Sequence, residues 1–336
     1  MYINGLTPEE IKIVLEKEGF PAYKTKQIFQ WVHKKQLWNF SLMTNLSKQD
    51  REKLAQLFQF TKIEVKKTKK SFDGTKKYLL ELEDGLCIEA VLLKDSNKRK
   101  TVCISTQVGC ALGCVICATA KMGFKRDLTC AEIIAQIELL YKENSGFENI
   151  VFMGMGEPFL NYDNVLKSIL ILNDKNGLNI GARKITISTA GLPKMIMALA
   201  NFNAQVRLAV SINSADHYKR SEIMPINKQY PLEEVIEAVK KYISVTKRRV
   251  TFEYVLLKDF NDQEEDAYAL IDLCQGMKVN INLIPANSPP PPFEPSPLKT
   301  QKIFLKILQD NKINAVLRMS KGEQIKAGCG QLGKAI

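Results

Sequence analysis

Three cysteines stand close together in "VGCALGCVICAT", at Cys110, Cys114 and Cys117, and no fourth follows in that stretch. A structural zinc ion or an electron-transfer iron–sulfur cluster takes four protein ligands. The spacing C-x3-C-x2-C suits another arrangement, in which three thiolates hold three irons of a [4Fe-4S] cluster and the fourth iron stays open to a chelate. The amino and carboxylate groups of S-adenosylmethionine form such a chelate. Electron injection then cleaves the sulfonium to a carbon radical, chemistry that the cofactor supplies and the protein aims. Zinc, with Cys103 or Cys130 as fourth ligand, is the competing reading.

Other residues of chemical interest lie downstream. "GMGEP", residues 154–158, lacks the third glycine of a dinucleotide fingerprint, and no phosphate-loop pattern occurs in the chain. Its glycines suit close approach of the backbone to the methionine end of a ligand, with Glu157 accepting from the amino group; an ordinary strand-to-loop turn is the plainer alternative. The two histidines, His33 and His217, read as surface or packing residues rather than catalysts.

These residues need elements to position them. From residue 101, strand-like runs recur as "TVCIST", "NIVFMG", "KITIST", "VRLAVSI", "RVTFEYVLL" and "VNINLIP", with helix-like stretches between them. The first helix, "TCAEIIAQIELLY", opens on a capping box, Thr129 to Glu132. Six alternations imply a parallel sheet with right-handed crossovers, and six are too few for a full eightfold barrel, so a partial barrel or an open sheet is expected. Ligands of such sheets gather beyond the carboxyl ends of the strands. Reading those ends in order yields the cysteines, GMGEP, Ser188, Ser211-Ile212-Asn213 and Asn287: one site. The proline-rich "ANSPPPPFEPSP" (286–297) must be a stiff loop.

The first 60 residues read as helices, beginning with a capping box at Thr7-Pro8-Glu9-Glu10, and 61–95 as hairpins turning at Asp73-Gly74 and Asp84-Gly85. The expected organisation is a helical domain at 1–60, a β linker at 61–95, a core at 96–322 and a tail at 323–336. Of the net charge of +12, +7 sits in residues 1–100, which hold 20 Lys and Arg against 13 Asp and Glu. Clusters at Lys66-Lys67, Lys69-Lys70, Lys76-Lys77, Lys98-Arg99-Lys100 and Lys247-Arg248-Arg249 favour a polyanionic partner. No apolar run approaches a membrane span and no secretion signal opens the chain, so the expected compartment is the cytoplasm, with reduced thiols rather than a disulfide framework.

At this point the motifs carry a family resemblance. "CISTQVGCALGCVICATAKMGF", "FMGMGEP", "ITISTAG", "IMPIN" and "AGCGQL" together resemble the bacterial radical-SAM methyltransferases that modify C2 of an adenosine in the peptidyl-transferase centre of 23S ribosomal RNA. The resemblance covers nearly the whole chain. It implies an α/β fold, a partial (β/α)6 radical-SAM barrel with a small basic N-terminal helical domain that binds RNA. It also implies that Cys110, Cys114 and Cys117 hold the [4Fe-4S] cluster, and that Gly156, Glu157, Ser188, Ser211, Ile212, Asn213 and Asn287 line the S-adenosylmethionine pocket. Cys329 would be the methyl carrier, Cys103 its resolving partner and Glu89 the proton acceptor.

The same resemblance explains the cysteines outside the cluster. Adenine C2 has no nucleophilic lone pair, so one S-adenosylmethionine would methylate Cys329. A second, cleaved reductively, would generate a methylene radical there that adds to the base. Proton loss to Glu89 would let Cys103 attack Cys329, freeing product and leaving a disulfide. Expected partners are 23S rRNA, a tRNA adenosine in the anticodon loop and a flavodoxin-type electron donor, with a monomeric, cytoplasmic enzyme.

Two positions depart from the family pattern. Asn213 stands where histidine is usual, and a proline run follows Asn287. Two alternatives compete: a sister enzyme that methylates C8, where alanine tends to follow the glutamate of GMGEP, and a non-catalytic RNA-binding protein with a structural metal centre indifferent to Cys329→Ala.

Overall fold

The computed structural model describes residues 1–333. Its N-terminal part is helical, with helices Pro8–Lys17, Tyr23–Phe29 and Lys48–Leu57. Thr7 and Glu10 close the first capping box in both directions, which satisfies two amide groups that a helix start leaves orphaned. Ile11 and Leu15, one helical turn apart, are buried with Ile28 and Val32 of the next segment. His33 is a packing residue. It is buried, and its Nδ1 lies 2.7 Å from Glu138 Oε1, joining the N-terminal helices to helix Cys130–Glu143. Trp38 donates to the other oxygen of Glu138 at 3.0 Å.

Three antiparallel strands follow, β1 (Ile63–Lys70), β2 (Lys76–Leu82) and β3 (Cys87–Lys94). They turn at the two Asp-Gly pairs, where Gly74 and Gly85 adopt φ of 82° and 80°, a region that favours glycine. These hairpins are continuous with the core, because β3 pairs antiparallel with β4 (Lys100–Cys103). A small ribbon, β5 (Gln107–Gly109) with β6 (Phe124–Asp127), brackets the cysteine loop.

The parallel part begins with β4. β7 (Asn149–Phe152), β8 (Ile185–Thr189), β9 (Arg207–Ser211), β10 (Val250–Leu256), β11 (Val279–Pro285) and the short β12 (Ala315–Leu317) follow in chain order, each parallel to its predecessor. Among the described residues the sheet has ten strands, and β1 and β12 form its two ends, so it is a partial barrel. In β8 and β11 buried apolar residues alternate with half-buried Thr186 and Ser188 and with half-buried Asn280 and Asn282, the period of two of a strand with two different faces. The six expected strand–helix units are all present, with β12 added after helix Leu298–Asp310.

Thr129 and Glu132 cap helix Cys130–Glu143 as the sequence implied. A different device holds the strand ends. Arg220 is fully buried; its guanidinium donates to the carbonyls of Ala190 and Ile212 and to Asn227 Oδ1. One cation thus ties the ends of β8 and β9 to the IMPIN segment.

Candidate active site

The cysteine loop is fixed from both sides. Cys110 N donates to Gly123 O at 3.1 Å, and Val115 N donates to Ile223 O of the IMPIN segment at 3.0 Å. The three thiols open on a cavity of about 200 Å³ at the carboxyl ends of the parallel strands. Burial pushes the Cys110 thiol up to about 11 and the Cys114 thiol up to about 12. A bound cation would be needed to hold them as thiolates at neutral pH.

Across the cavity lie the residues read from the strand ends. Gly156, Glu157, Ser188, Ser211, Asn213 and Asn287 all line it. Gly156 has φ +95°, and a Cβ there would sit 2.5 Å from Gln107 Cβ, so only glycine fits. Glu157 accepts from Phe159 N at 3.0 Å and from Ala190 N at 2.8 Å, yet burial dominates and pushes its carboxyl up to about 7. Asn213 Oδ1 accepts from Val255 N at 3.0 Å, so asparagine at the position of the usual histidine is already held by the backbone. Ile212 does not line the cavity. It is fully buried and its N–H donates to Glu253 O, where the chain leaves β9 and Asn213 takes φ +57°.

The C-terminal tail brings in a further sulfur. Cys329 lines this cavity and also a second one, of about 280 Å³, which Cys103 lines from β4. All eight cysteines are free thiols, so the expected Cys103–Cys329 disulfide is not formed here. The tail is docked by Ala118 N, which donates to Gly330 O at 2.7 Å, and by Thr119 Oγ1, which donates to Leu332 O at 2.7 Å. Gly328 passes so close to Asn287 that a Cβ would meet Nδ2 at 2.5 Å.

Glu89 lines neither cavity. It is buried behind the tail, with Oε2 2.9 Å from Lys77 Nζ and accepting from Gly333 N at 2.6 Å, while Oε1 has no partner. Lys77, read in the sequence as part of a surface cluster, is 1 % exposed and donates to Lys326 O at 3.1 Å.

Two residues of the site carried no sequence signal. Glu253, mid-strand in β10, is 5 % exposed and lines the first cavity. Asn282 donates to its Oε1, and Oε2 has no hydrogen-bond partner. Arg318 lines the second cavity, with Nη1 3.9 Å from Glu253 Oε2. Cys329 is exposed as a residue, but desolvation within the cavities it lines raises its thiol; the Arg318 charge opposes that rise while Glu253 adds to it.

The zinc reading loses its fourth ligands. Cys130 starts a helix and has Lys167 and Glu10 as its charged neighbours, and Cys103 faces the second cavity only. Among the described residues no three His, Cys, Asp or Glu converge on a single metal ion. A larger cluster and a polar organic ligand fit the donor set better. Soft thiols, the serines Ser188 and Ser211, a glycine-bared backbone and the Glu253 carboxylate, whose Oε2 has no hydrogen-bond partner, all line the one cavity.

A partial barrel that opens three closely spaced thiols onto a cavity at the carboxyl ends of its strands is the arrangement of the radical-SAM class. The family model "Radical SAM superfamily" matches residues 104–271. The model "Ribosomal RNA large subunit methyltransferase N-terminal domain" matches residues 2–60. The chain is 50 % identical over 329 residues to a protein of Dictyoglomus thermophilum named "Probable dual-specificity RNA methyltransferase RlmN", covering 96 % of this chain and 94 % of that one. A Thermotoga maritima protein of the same name is 46 % identical, covering 97 % and 96 %. The crystal structure of a radical SAM methyltransferase from Sphaerobacter thermophilus superposes with a TM-score of 0.94 at 40 % identity, covering 99 % of both chains. The chain belongs to the RlmN family of radical-SAM methyltransferases.

Proposed function

We propose that this protein is an RNA methyltransferase that transfers a methyl group to C2 of an adenosine in 23S rRNA, and to an anticodon-loop adenosine of tRNA, by way of S-methyl-Cys329. The observation that carries this reading is the placement of Cys329. Its sulfur is shared by two cavities, one with the three loop cysteines and one with Cys103. A methyl carrier must face its methyl donor and its acceptor in turn, and a resolving thiol must reach the carrier from the acceptor side.

In this reading Cys110, Cys114 and Cys117 hold the [4Fe-4S] cluster. Gly156, Glu157, Ser188, Ser211, Asn213 and Asn287 hold S-adenosylmethionine, with Glu157 accepting from its ammonium. Bound together, the two cofactors supply a methyl cation equivalent and a carbon radical. Arg318 favours the Cys329 thiolate, the form that accepts a methyl group. Cys103, which burial keeps protonated, waits until a bond to Cys329 offers it a leaving group. Glu89 takes the C2 proton once the tail withdraws from it. The reaction needs an electron donor of the flavodoxin kind and takes place in the cytoplasm, where RNA is modified.

The test is anaerobic incubation of reconstituted protein with S-adenosylmethionine, a reductant and protein-free 23S rRNA, followed by digestion and mass spectrometry of the nucleosides. 2-Methyladenosine is expected. 8-Methyladenosine would assign the protein to the C8 chemistry. Absence of any methylated base from protein that cleaves S-adenosylmethionine would overturn the RNA substrate.

A further inference from the structure

The catalytic cavity occupies the carboxyl ends of the parallel strands. At their opposite, amino ends lies a groove of about 380 Å³ that the chemistry above does not use. Arg183 before β8, Arg207 opening β9, and Arg248 and Arg249 opening β10 all line it, together with Asn280 of β11. No acidic side chain lines it. Elsewhere Arg99, Arg126 and Arg318 each face a carboxylate, whereas none of these four makes an ion pair among the described residues. Arg248 donates to Ala204 O at 3.1 Å and Arg249 to Asn280 Oδ1 at 3.2 Å, contacts that orient the guanidinium groups without neutralising them. Lys184 and Lys247 are sequence neighbours of Arg183 and Arg248, and Lys278 precedes β11.

Like charges gathered without a counter-charge destabilise a fold through mutual repulsion, and a surface of this kind is stabilised by an anion from outside. We infer that this groove is a second contact for substrate RNA, one that grips the phosphodiester backbone while the target base is held at the other end of the barrel. The inference rests on the RNA reading of the catalytic site. Arginine's planar fork matches phosphate oxygens two at a time, and four forks spread over three strand starts suit a run of phosphates rather than one. The dimensions suit a folded RNA. Arg207 and the cavity-lining Ser211 begin and end the same strand, roughly 13 Å apart at the strand rise. A redox protein docked here would face the end of the barrel away from the cysteines, where it gains nothing for electron transfer.

The test uses the full-length holoprotein carrying Arg183→Gln and Arg207→Gln. Both side chains are exposed and make no hydrogen bond in the structure, so the fold is retained. Equilibrium binding to protein-free 23S rRNA and to whole tRNA is measured across a salt series, beside a short stem–loop that carries only the target adenosine. Losing two phosphate contacts lowers the slope of log K against log salt by about 2, and the affinity at about 0.15 M salt by about 30-fold. Binding and methylation of the short stem–loop are expected to stay at the wild-type level. Wild-type slope and affinity on the long RNAs would overturn the proposal. So would unchanged RNA binding accompanied by slower reduction from an acidic flavodoxin, which would assign the groove to the electron donor. If wild-type protein itself shows no salt-dependent RNA affinity, it is the RNA reading of the catalytic site that fails.

Discussion

The buried Lys77–Glu89 pair yields a prediction that separates structure from chemistry. The ammonium and carboxylate are 1 % and 2 % exposed and lie 2.9 Å apart. Lys77 also donates to Lys326 O, and Glu89 accepts from Gly333 N, so one ion pair pins both ends of the segment that carries Cys329. Replacing one partner leaves the other charge buried and unpaired, which costs about 3–5 kcal/mol. Lys77→Met and Glu89→Gln should each lose about that much stability in urea unfolding. The double variant should lose only about 1–2 kcal/mol, the share of the tail hydrogen bonds, because no unpaired charge remains. Under native conditions Lys77→Met should also speed alkylation of Cys329 by iodoacetamide, since one end of its segment is released. Single variants that each cost less than 1 kcal/mol, or a double variant equal to the sum of the two, would refute the anchoring argument.

Two other outcomes follow from the site. Burial raises the Glu157 carboxyl from 4.5 to about 7, so the fold favours its neutral form. The stability this contributes is complete below about pH 4.5 and is lost as pH rises through about 7, amounting to about 3 kcal/mol by pH 8. In cofactor-free protein, Glu157→Gln should flatten the stability profile across that window, and parallel profiles for variant and wild type would refute it. Reconstituted iron should be lost in Cys110→Ala and Cys114→Ala but retained in Cys130→Ala and Cys329→Ala. Iron loss in Cys329→Ala would make the tail cysteine a fourth ligand instead of a carrier.

Much of this architecture is legible in the chain because local rules and global packing agree. Thr7 and Thr129 cap where their boxes say they must, and the Asp-Gly pairs turn where they fall. Reading strand ends for polar residues found most of the polar side chains of the cavity wall, since parallel topology fixes which end is functional. The failures share one cause: a side chain's direction depends on tertiary context. Ile212 sits between two lining residues, but it lies just past the end of β9 and is buried in the core. Glu253 lies in an apolar strand where a single carboxylate carries no motif, and its significance comes only from Asn282 and Arg318, which other elements supply. Lys77 belongs to a basic run that reads as solvated surface, yet it meets Glu89 across the hairpin of β2 and β3 and the tail closes over both.

In the proposed reaction the tail lets Glu89 serve as both anchor and base. While Gly333 N occupies Oε2, the carboxylate lines neither cavity, and Cys329 rests where the two cavities meet. Withdrawal of residues 331–333 frees Oε2 beside Lys77 without breaking the ion pair, so uncovering Glu89 costs the hydrogen bonds made by Gln331, Leu332 O and Gly333 N and the packing of Leu332, not a buried charge. The docking bond from Ala118 N to Gly330 O lies on the cluster side of Cys329, and the Gly333 bond lies on the base side. The sulfur thus sits on a short segment with separate tethers toward each half of the chemistry. Glycines at 328, 330 and 333, with Cβ positions blocked by Asn287, Ile116 and Met122 respectively, let that segment lie flat against both walls. In the proposed reaction a carrier that faces two partners in succession needs this combination: docking at each end, and glycine on both sides of Cys329.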